Sequence, residues 1–169
     1  MILVDSPSPI SFLIDFGLAQ RFRDPATYLH TPYSTSHPIV GTPLFTSIRG
    51  QQGCAQSRRD DLESLVYTIV YSACGELPWA GCCTHEAILA KKSSITTEEL
   101  CHGLPALFCD FVTCIRSLDF EEKPDYQYLH SILSLCSATE TENPQPSKTP
   151  SSVHGRASAQ HTPVASDRV

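Results

Sequence analysis

Large apolar side chains stop at Cys136, and this boundary limits what the 169-residue chain can fold into. From Ser137 to Val169 there is no Ile, Leu, Phe, Tyr, Trp or Met, while Ser, Thr, Pro and Ala dominate. Such a segment cannot bury enough apolar surface to offset the entropy lost on ordering. The sequence therefore predicts one folded domain over residues 1–136 and a disordered Ser/Thr/Pro-rich tail over residues 137–169.

The charge of the chain bears on its partners. The net charge of −6 lies in the predicted folded part, because acids and bases balance in the tail. Mild acidity argues against nucleic acid as a partner, since phosphate binding favours a basic face. The N-terminus lacks the pattern of a secretory signal, and no apolar run is long enough to span a bilayer. We therefore expect no membrane partner, and a cytoplasmic or nuclear protein.

Eight cysteines raise the question of disulfides or a zinc site. They lack paired CxxC spacing, and one forced combination, Cys82, Cys83 and His85 with Cys101 and His102, matches zinc-ligand spacings poorly. Reduced thiols without a metal cluster are the expectation for a cytosolic or nuclear protein.

The clearest predicted element is a helix from Ser57 to about Cys74. Ser57 is a good N-cap, and Gly75 is a good stop. Three acids suit the positive N-terminal end of this helix: Asp60, Asp61 and Glu63. Beyond Leu65 the segment is almost entirely apolar, which predicts a buried central helix.

Weaker patterns complete a mainly α-helical fold class. Helical spacing recurs over Leu104–Leu118 and Tyr126–Cys136, and Thr96 begins a further short helix. Two apolar runs, Ile2–Val4 and Ile10–Ile14, flank turn residues and predict a small β-hairpin at the N-terminus. Residues 15–53 show no sustained period, and a loop of this length inside a domain is usually functional.

The motif that carries chemistry follows the second apolar run. Phe12, Leu13 and Ile14 are followed by Asp15-Phe16-Gly17. In protein kinases the aspartate of this tripeptide holds the Mg²⁺ that bridges the ATP phosphates, and it opens the activation loop. A carboxylate suits that role because Mg²⁺ is a hard cation that prefers oxygen ligands. Alone, the tripeptide occurs by chance in many folds.

The chain beyond Asp15 resembles the casein kinase 1 family of serine/threonine protein kinases. Six segments match that family in order over most of the predicted domain. They are Leu13–Ala19 with Arg23-Asp24, Gly41-Thr42, Ser47-Ile48, Gln56–Leu65, Leu77–Gly81 and Lys123–Tyr126. The resemblance implies the C-terminal lobe of a kinase, from the Asp-Phe-Gly motif onward.

The resemblance also implies roles for individual residues. Asp15 matches the Mg²⁺ ligand, and Gly41 and Thr42 match the lining of the substrate groove. Asp61 matches the aspartate that braces the catalytic loop, although an acid favouring the helix N-terminus explains it equally well. Trp79 is expected to fill the core rather than to bind a ligand.

Elements that a complete kinase requires are missing from the sequence. The glycine-rich loop, the strand lysine and the catalytic-loop aspartate precede Asp-Phe-Gly in kinases, and none is present. Met1 is expected to be either an internal methionine of a longer kinase or the start of a truncated paralogue. The chain alone is therefore expected to bind neither ATP nor Mg²⁺ and to be inactive. The complete parent is expected to phosphorylate protein Ser/Thr; the alternative is a non-catalytic, pseudokinase-type module that binds kinase substrates or regulators.

The sequence departs from the family's pattern on the substrate side. Leu44 stands where the family has an arginine that recognises acidic or phosphorylated substrates, and a leucine lacks the forked donors. Arg49 stands where the family has asparagine, and the segment from Cys82 to Lys92 is shorter than usual. In the tail, Thr149-Pro150 and Thr162-Pro163 are candidate sites for proline-directed kinases.

Overall fold

The computed structural model describes residues 2–4 and 11–142, with side-chain environments for residues 13–138. This part of the chain is mainly helical, with six helices and two strands of three residues each, which confirms the predicted class. The helices are α1 (Ile48–Gln51), α2 (Arg58–Cys74), α3 (His85–Ser94), α4 (Thr97–Leu100), α5 (Leu107–Ser117) and α6 (Tyr126–Glu142). None of these helices has both the length and the apolar character that crossing a bilayer requires.

The two strands are β1 (Ile2–Val4) and β2 (Ser11–Leu13). They pair antiparallel, with Ile2 opposite Leu13 and Val4 opposite Ser11. The predicted turn between them, residues 5–9, lies outside the described residues, so the hairpin as a whole stays a prediction.

Helix α2 begins and ends where the sequence predicts. Ser57 is its N-cap, and Gly75 ends it at a φ of 82°, a left-handed conformation that glycine adopts without strain. Ser57 and Asp60 form a capping box, in which the carboxylate of Asp60 accepts a hydrogen bond from Ser57 N (2.8 Å).

One face of α2 forms the centre of the core. Its buried apolar residues are Val66, Tyr67 and Val70, which lie at helical spacing. The predicted burial of the whole second half is wrong, since the residues from Tyr71 to Cys74 are exposed. The ring of Trp79 lies edge-on to Tyr67 (centroids 4.8 Å apart) and is fully buried, as the sequence predicts.

Helices α5 and α6 complete the core. Helix α5 contributes Phe108, Phe111, Val112 and Ile115, which repeat on one side of the helix. Helix α6 contributes Leu129, Ile132 and Cys136. Because α6 continues to Glu142, the predicted end of ordered structure at Cys136 is too early; residues 143–169 lie outside the described residues.

The remaining elements divide into predicted and missed ones. Helix α4 has Thr96 as its N-cap, with a reciprocal bond from Thr96 N to Glu99, as its sequence indicates. Helix α3 was not predicted, because only Ile88 and Lys92 of its residues are buried and no apolar stripe marks it. Residues 15–53 are largely irregular, as predicted, apart from α1 and an isolated bridge between Arg23 and His30.

Candidate functional site

A cleft of about 430 Å³ lies between the irregular segment and the start of α2. One wall is formed by Leu18–Phe22 and Thr31–Val40, and the other by Cys54–Arg58 together with Asp61. The wall residues include both apolar side chains and the charged groups of Arg21, Arg58 and Asp61. This mixed lining makes the cleft the candidate functional site of the described chain.

A hydrogen-bonded turn shapes the irregular wall of the cleft. The carboxylate of Asp24 accepts bonds from Ala26 N (2.9 Å), Thr27 N (2.8 Å) and the Thr27 hydroxyl (3.1 Å). These bonds favour the charged carboxylate and hold the pKa of Asp24 below its ordinary value. Backbone hydrogen bonds between Asp24 and Leu29 complete the turn, so that Arg23 and His30 lie opposite each other in an isolated antiparallel bridge.

Aromatic rings and arginines fasten this wall to the helical core. The guanidinium of Arg58 lies 4.3 Å from the ring centroid of Phe22, and that of Arg59 lies 5.5 Å from Phe120. His30 and Tyr33 contact Phe120 edge-on, at 4.8 and 5.1 Å. Stacking of this kind uses side chains from three parts of the sequence, and so it fixes the cleft walls relative to each other.

The Asp-Phe-Gly tripeptide lies at the exposed beginning of the segment. Asp15 adopts a φ of 67°, which is uncommon for residues other than glycine. Its Oδ1 accepts one long bond from Gly17 N (3.4 Å), and Phe16 is 66 % exposed. The carboxylate oxygens of Asp15 are therefore available to an external ligand.

Gly41 and Thr42 form a second turn on the same segment. Gly41 has a φ of 92°, where a side chain would be strained. The carbonyl of Thr42 accepts bonds from Phe45 N (2.9 Å), Thr46 N (3.1 Å) and the Thr46 hydroxyl (3.1 Å). The Thr42 side chain itself is exposed. Of the predicted site residues, only Asp61 lines the cleft, while Asp15 and Thr42 lie outside its lining.

Asp61 differs from its neighbour Asp60 in its hydrogen bonding and in its position at the cleft. Its carboxylate takes part in none of the hydrogen bonds formed by the described residues, and the residue faces the cleft. Desolvation, reinforced by the charge of Asp60, raises the pKa of Asp61 above its ordinary value. A carboxylate without partners at a cleft wall is available to bind hydrogen-bond donors.

Replacing Asp61 tests the two explanations for this residue, which are a brace for the catalytic loop and an acid that stabilises the N-terminus of α2. A raised carboxyl pKa means that the folded chain binds more protons than the unfolded chain above the ordinary value, so ionisation lowers stability as the pH rises. We expect Asp61→Asn to raise the urea midpoint of the chain at pH 7 and to leave it unchanged at pH 3. A lower midpoint at pH 7 would instead assign Asp61 a helix-stabilising role.

Sequence reasoning missed the buried lysine of α3. Lys92 is 1 % exposed, and its ammonium donates to the carbonyls of Pro43 (2.7 Å) and Thr46 (2.6 Å). It also lies 4.7 Å from the ring centroid of Tyr67 and 5.2 Å from that of Trp79. Lys92 thus ties the turn after Thr42 to the core, and its position beside exposed Lys91 gave no signal of this in the sequence.

Lys92 should make stability depend on pH. Desolvation lowers the pKa of Lys92 to about 8 from an ordinary 10.5, although Glu63 opposes the shift. Between these values the unfolded chain binds a proton that the folded chain does not, so the free energy of unfolding rises with pH, by at most about 1.4 kcal/mol per pH unit.

The measurement is urea unfolding from pH 7 to 10.5 for the wild type, Lys92→Met and Lys91→Met. Subtracting the Lys92→Met curve removes the opposing effect of buried thiols such as Cys101, whose pKa desolvation raises to about 12. We expect the wild-type and Lys91→Met curves to rise relative to Lys92→Met above pH 8. Parallel curves would contradict the assignment.

A search of the sequence against models of known protein families finds no match. The resemblance therefore rests on the short motifs and their order along the chain. All eight cysteines are free thiols, and within residues 13–138 no group of three or more His, Cys, Asp or Glu side chains is arranged to hold a metal ion.

Proposed function

We propose that this chain is the C-terminal part of a casein kinase 1-like serine/threonine kinase, and that it contributes a Mg²⁺ ligand and a docking cleft rather than complete catalysis. The ordered set of kinase motifs in the sequence supports the family. The structural observation that supports the proposal is the cleft beside Asp61. Its wall carries the Asp61 carboxylate without a hydrogen-bond partner, and in the family the matching aspartate braces the catalytic loop.

The environment of Asp15 fits a single carboxylate ligand of Mg²⁺. The side chain is exposed, and only one long bond from Gly17 N occupies its oxygens. Mg²⁺ in phosphoryl-transfer sites is commonly held by one or two carboxylates together with substrate phosphates and water. When bound with ATP, the ion supplies charge neutralisation at the phosphates. In the proposed complete kinase, Asp15 and Asp61 each act together with catalytic-loop residues that this sequence does not contain.

The first test is to read the transcript upstream of Met1. A reading frame encoding a glycine-rich loop, a strand lysine and a His-Arg-Asp motif supports the proposal. A stop codon or promoter directly before Met1 contradicts it.

The longer product, if encoded, allows a direct assay of protein phosphorylation with ATP and Mg²⁺. We expect Asp15→Asn to lower kcat by at least about a hundredfold, since the metal's charge stabilises the transferring phosphoryl group. The matched control is Asp110→Asn, an exposed aspartate on α5, which should stay within about twofold of the wild type. An equal loss of kcat in both variants would show that Asp15 is not the metal ligand.

The alternative, a non-catalytic interaction module, is favoured by a different observation. Phe16, Leu18 and Leu29 are 66 %, 67 % and 70 % exposed, and they lie on the same irregular segment. Exposed apolar side chains in this number mark a surface that another polypeptide covers. On this function the 169-residue chain binds no nucleotide but binds a kinase substrate or regulator. Leu18→Ser with Leu29→Ser should abolish that binding, and unchanged binding would exclude this surface.

A further inference from the structure

A second cleft, of about 290 Å³, lies on the side of the core formed by α1, α3 and α5. We call it the basic cleft, because its lining contains Arg49, Lys92 and Arg116 but a single acid, Glu63. Such an excess of positive charge is unexpected in a chain whose net charge is −6. It raises the question of which of these charges are already neutralised.

Lys92 and Glu63 are both held by hydrogen bonds within the core. Both are buried, and each has partners of its own. The ammonium of Lys92 donates to two backbone carbonyls, while the carboxylate of Glu63 accepts from Ile48 N (3.1 Å) and from the Tyr67 hydroxyl. The favourable charge interaction between Lys92 and Glu63 is felt at the lysine. Both residues line the cleft, and within residues 13–138 Glu63 forms no ion pair with either of its arginines.

The two arginines have unused donors. Arg116 Nη1 donates to the Thr97 hydroxyl (3.2 Å), and the guanidinium also interacts with the Tyr67 hydroxyl, but Nη2 is buried and makes no hydrogen bond of good geometry among the described residues. The side chain of Arg49 is half-buried and makes no hydrogen bond within the described part of the chain. The one ion pair recorded for residues 13–138 joins Arg59 to Asp60, so neither cleft arginine has an acidic partner. A buried guanidinium N–H without an acceptor is unfavourable, and a bound anion relieves that cost.

We propose that the basic cleft binds a phosphate-type oxyanion, held by Arg49 and Arg116. The planar guanidinium group presents parallel N–H donors that match the oxygens of such an anion. Both arginines are half-buried, and partial burial strengthens charge-assisted bonds relative to those on an open surface. The oxyanion can be free phosphate or the phosphate of a phosphorylated side chain. This site is separate from the Asp61 cleft and does not depend on kinase activity.

The experiment is calorimetric titration of the full 169-residue chain with inorganic phosphate and, separately, with N-acetyl-phosphoserine amide. Sodium chloride is adjusted to keep the ionic strength constant, since screening alone changes apparent affinity. Saturable binding of either probe is expected, and tighter binding of the phosphoserine probe would identify a phosphorylated side chain as the source. Absence of saturable binding by both probes would overturn the proposal.

Matched variants assign the binding to the cleft. Loss of one charge-assisted pair should weaken binding by roughly tenfold to a hundredfold in Arg49→Gln and in Arg116→Gln. Lys91→Gln removes an exposed charge from the same helix as Lys92 and should change the dissociation constant by less than about twofold. Arg49→Gln is the decisive variant, because Arg116 also supports the fold through Thr97. Undiminished phosphate binding by Arg49→Gln would place the anion elsewhere and overturn the assignment.

Discussion

Replacing Asp60 by alanine should destabilise the chain by about 3–5 kcal/mol, because two buried donors lose their acceptor. The carboxylate of Asp60 accepts from the Ser47 hydroxyl (2.7 Å) and from Ser57 N (2.8 Å). Ser47 and Ser57 are the N-caps of α1 and α2, and the hydroxyl of Ser47 also accepts from Gly50 N (2.9 Å). A single buried acid therefore holds the beginnings of two helices that lie apart in the sequence.

The loss should be measured as the free energy of unfolding in urea, followed by circular dichroism. Asp60→Asn keeps the shape and one acceptor, so its cost should fall between that of Asp60→Ala and the wild type. Asp61→Ala is the matched control, since it removes a neighbouring carboxylate that takes part in no hydrogen bond among the described residues. The proposed role of Asp60 is refuted if Asp60→Ala and Asp61→Ala have the same midpoint.

A cycle with Ser47→Ala tests whether the two helix starts are linked. If the Ser47–Asp60 bond carries the effect, the double variant should lose less stability than the sum of the two single variants. Simple additivity would mean that Asp60 acts on Ser57 and α2 alone.

Asp60 and Asp61 also show why part of the structure could not be predicted from the sequence. A rule based on the helix dipole treats both acids alike, because it considers only their place in the first turns. What separates them is Ser47, which precedes them by a long stretch of sequence and contacts only Asp60. Lys91 and Lys92 differ for the same reason, since the carbonyls of Pro43 and Thr46 select one of two adjacent lysines.

Sequence patterns predict helix ends correctly where the ends depend on interactions between neighbouring residues. Gly75 stops α2, and Thr96 caps α4, because capping depends on a few neighbouring residues. The end of α6 lies beyond the predicted boundary at Cys136, because composition indicates how much apolar surface a segment can bury and not where a helix stops. Once a helix is nucleated, each further residue needs no new nucleation, so α6 continues past Cys136 to Glu142.

Of the residues that the motifs predict for the site, only Asp61 lines the cleft. Asp15, Thr42 and Asp61 follow from the motifs, yet the cleft pairs Asp61 with Leu18–Phe22 rather than with Asp15 or Thr42. Its shape depends on the stacking of Arg58 on Phe22, a contact between residues far apart in sequence. Periodicity and composition carry no information about such contacts.

Trp79→Ala should also cost about 3–5 kcal/mol, the range for emptying a large buried aromatic site. The indole is fully buried, and its Nε1 donates to the carbonyl of Leu44 (2.9 Å). Its ring packs nearly perpendicular to that of Tyr67, at an interplanar angle of 80°, and lies beside the ammonium of Lys92. Removal therefore leaves a cavity, an unpaired carbonyl and a buried cation with one aromatic neighbour fewer. The free energy of unfolding of small domains is only about 5–15 kcal/mol, so the expected loss is a large fraction of it.

Two further variants separate these contributions. Trp79→Phe keeps an aromatic ring but loses the N–H donor, so it should lose less stability than Trp79→Ala and should remain folded. Tyr126→Ala removes an aromatic residue that is 49 % exposed and should change stability by less than about 1 kcal/mol.

Circular dichroism is the appropriate signal, because Trp79 is the single tryptophan of the chain and its fluorescence disappears with the substitution. A Trp79→Ala midpoint equal to that of Tyr126→Ala would contradict the core position of the indole. Equal losses in the Ala and Phe variants would assign the cost to the Leu44 hydrogen bond rather than to the cavity.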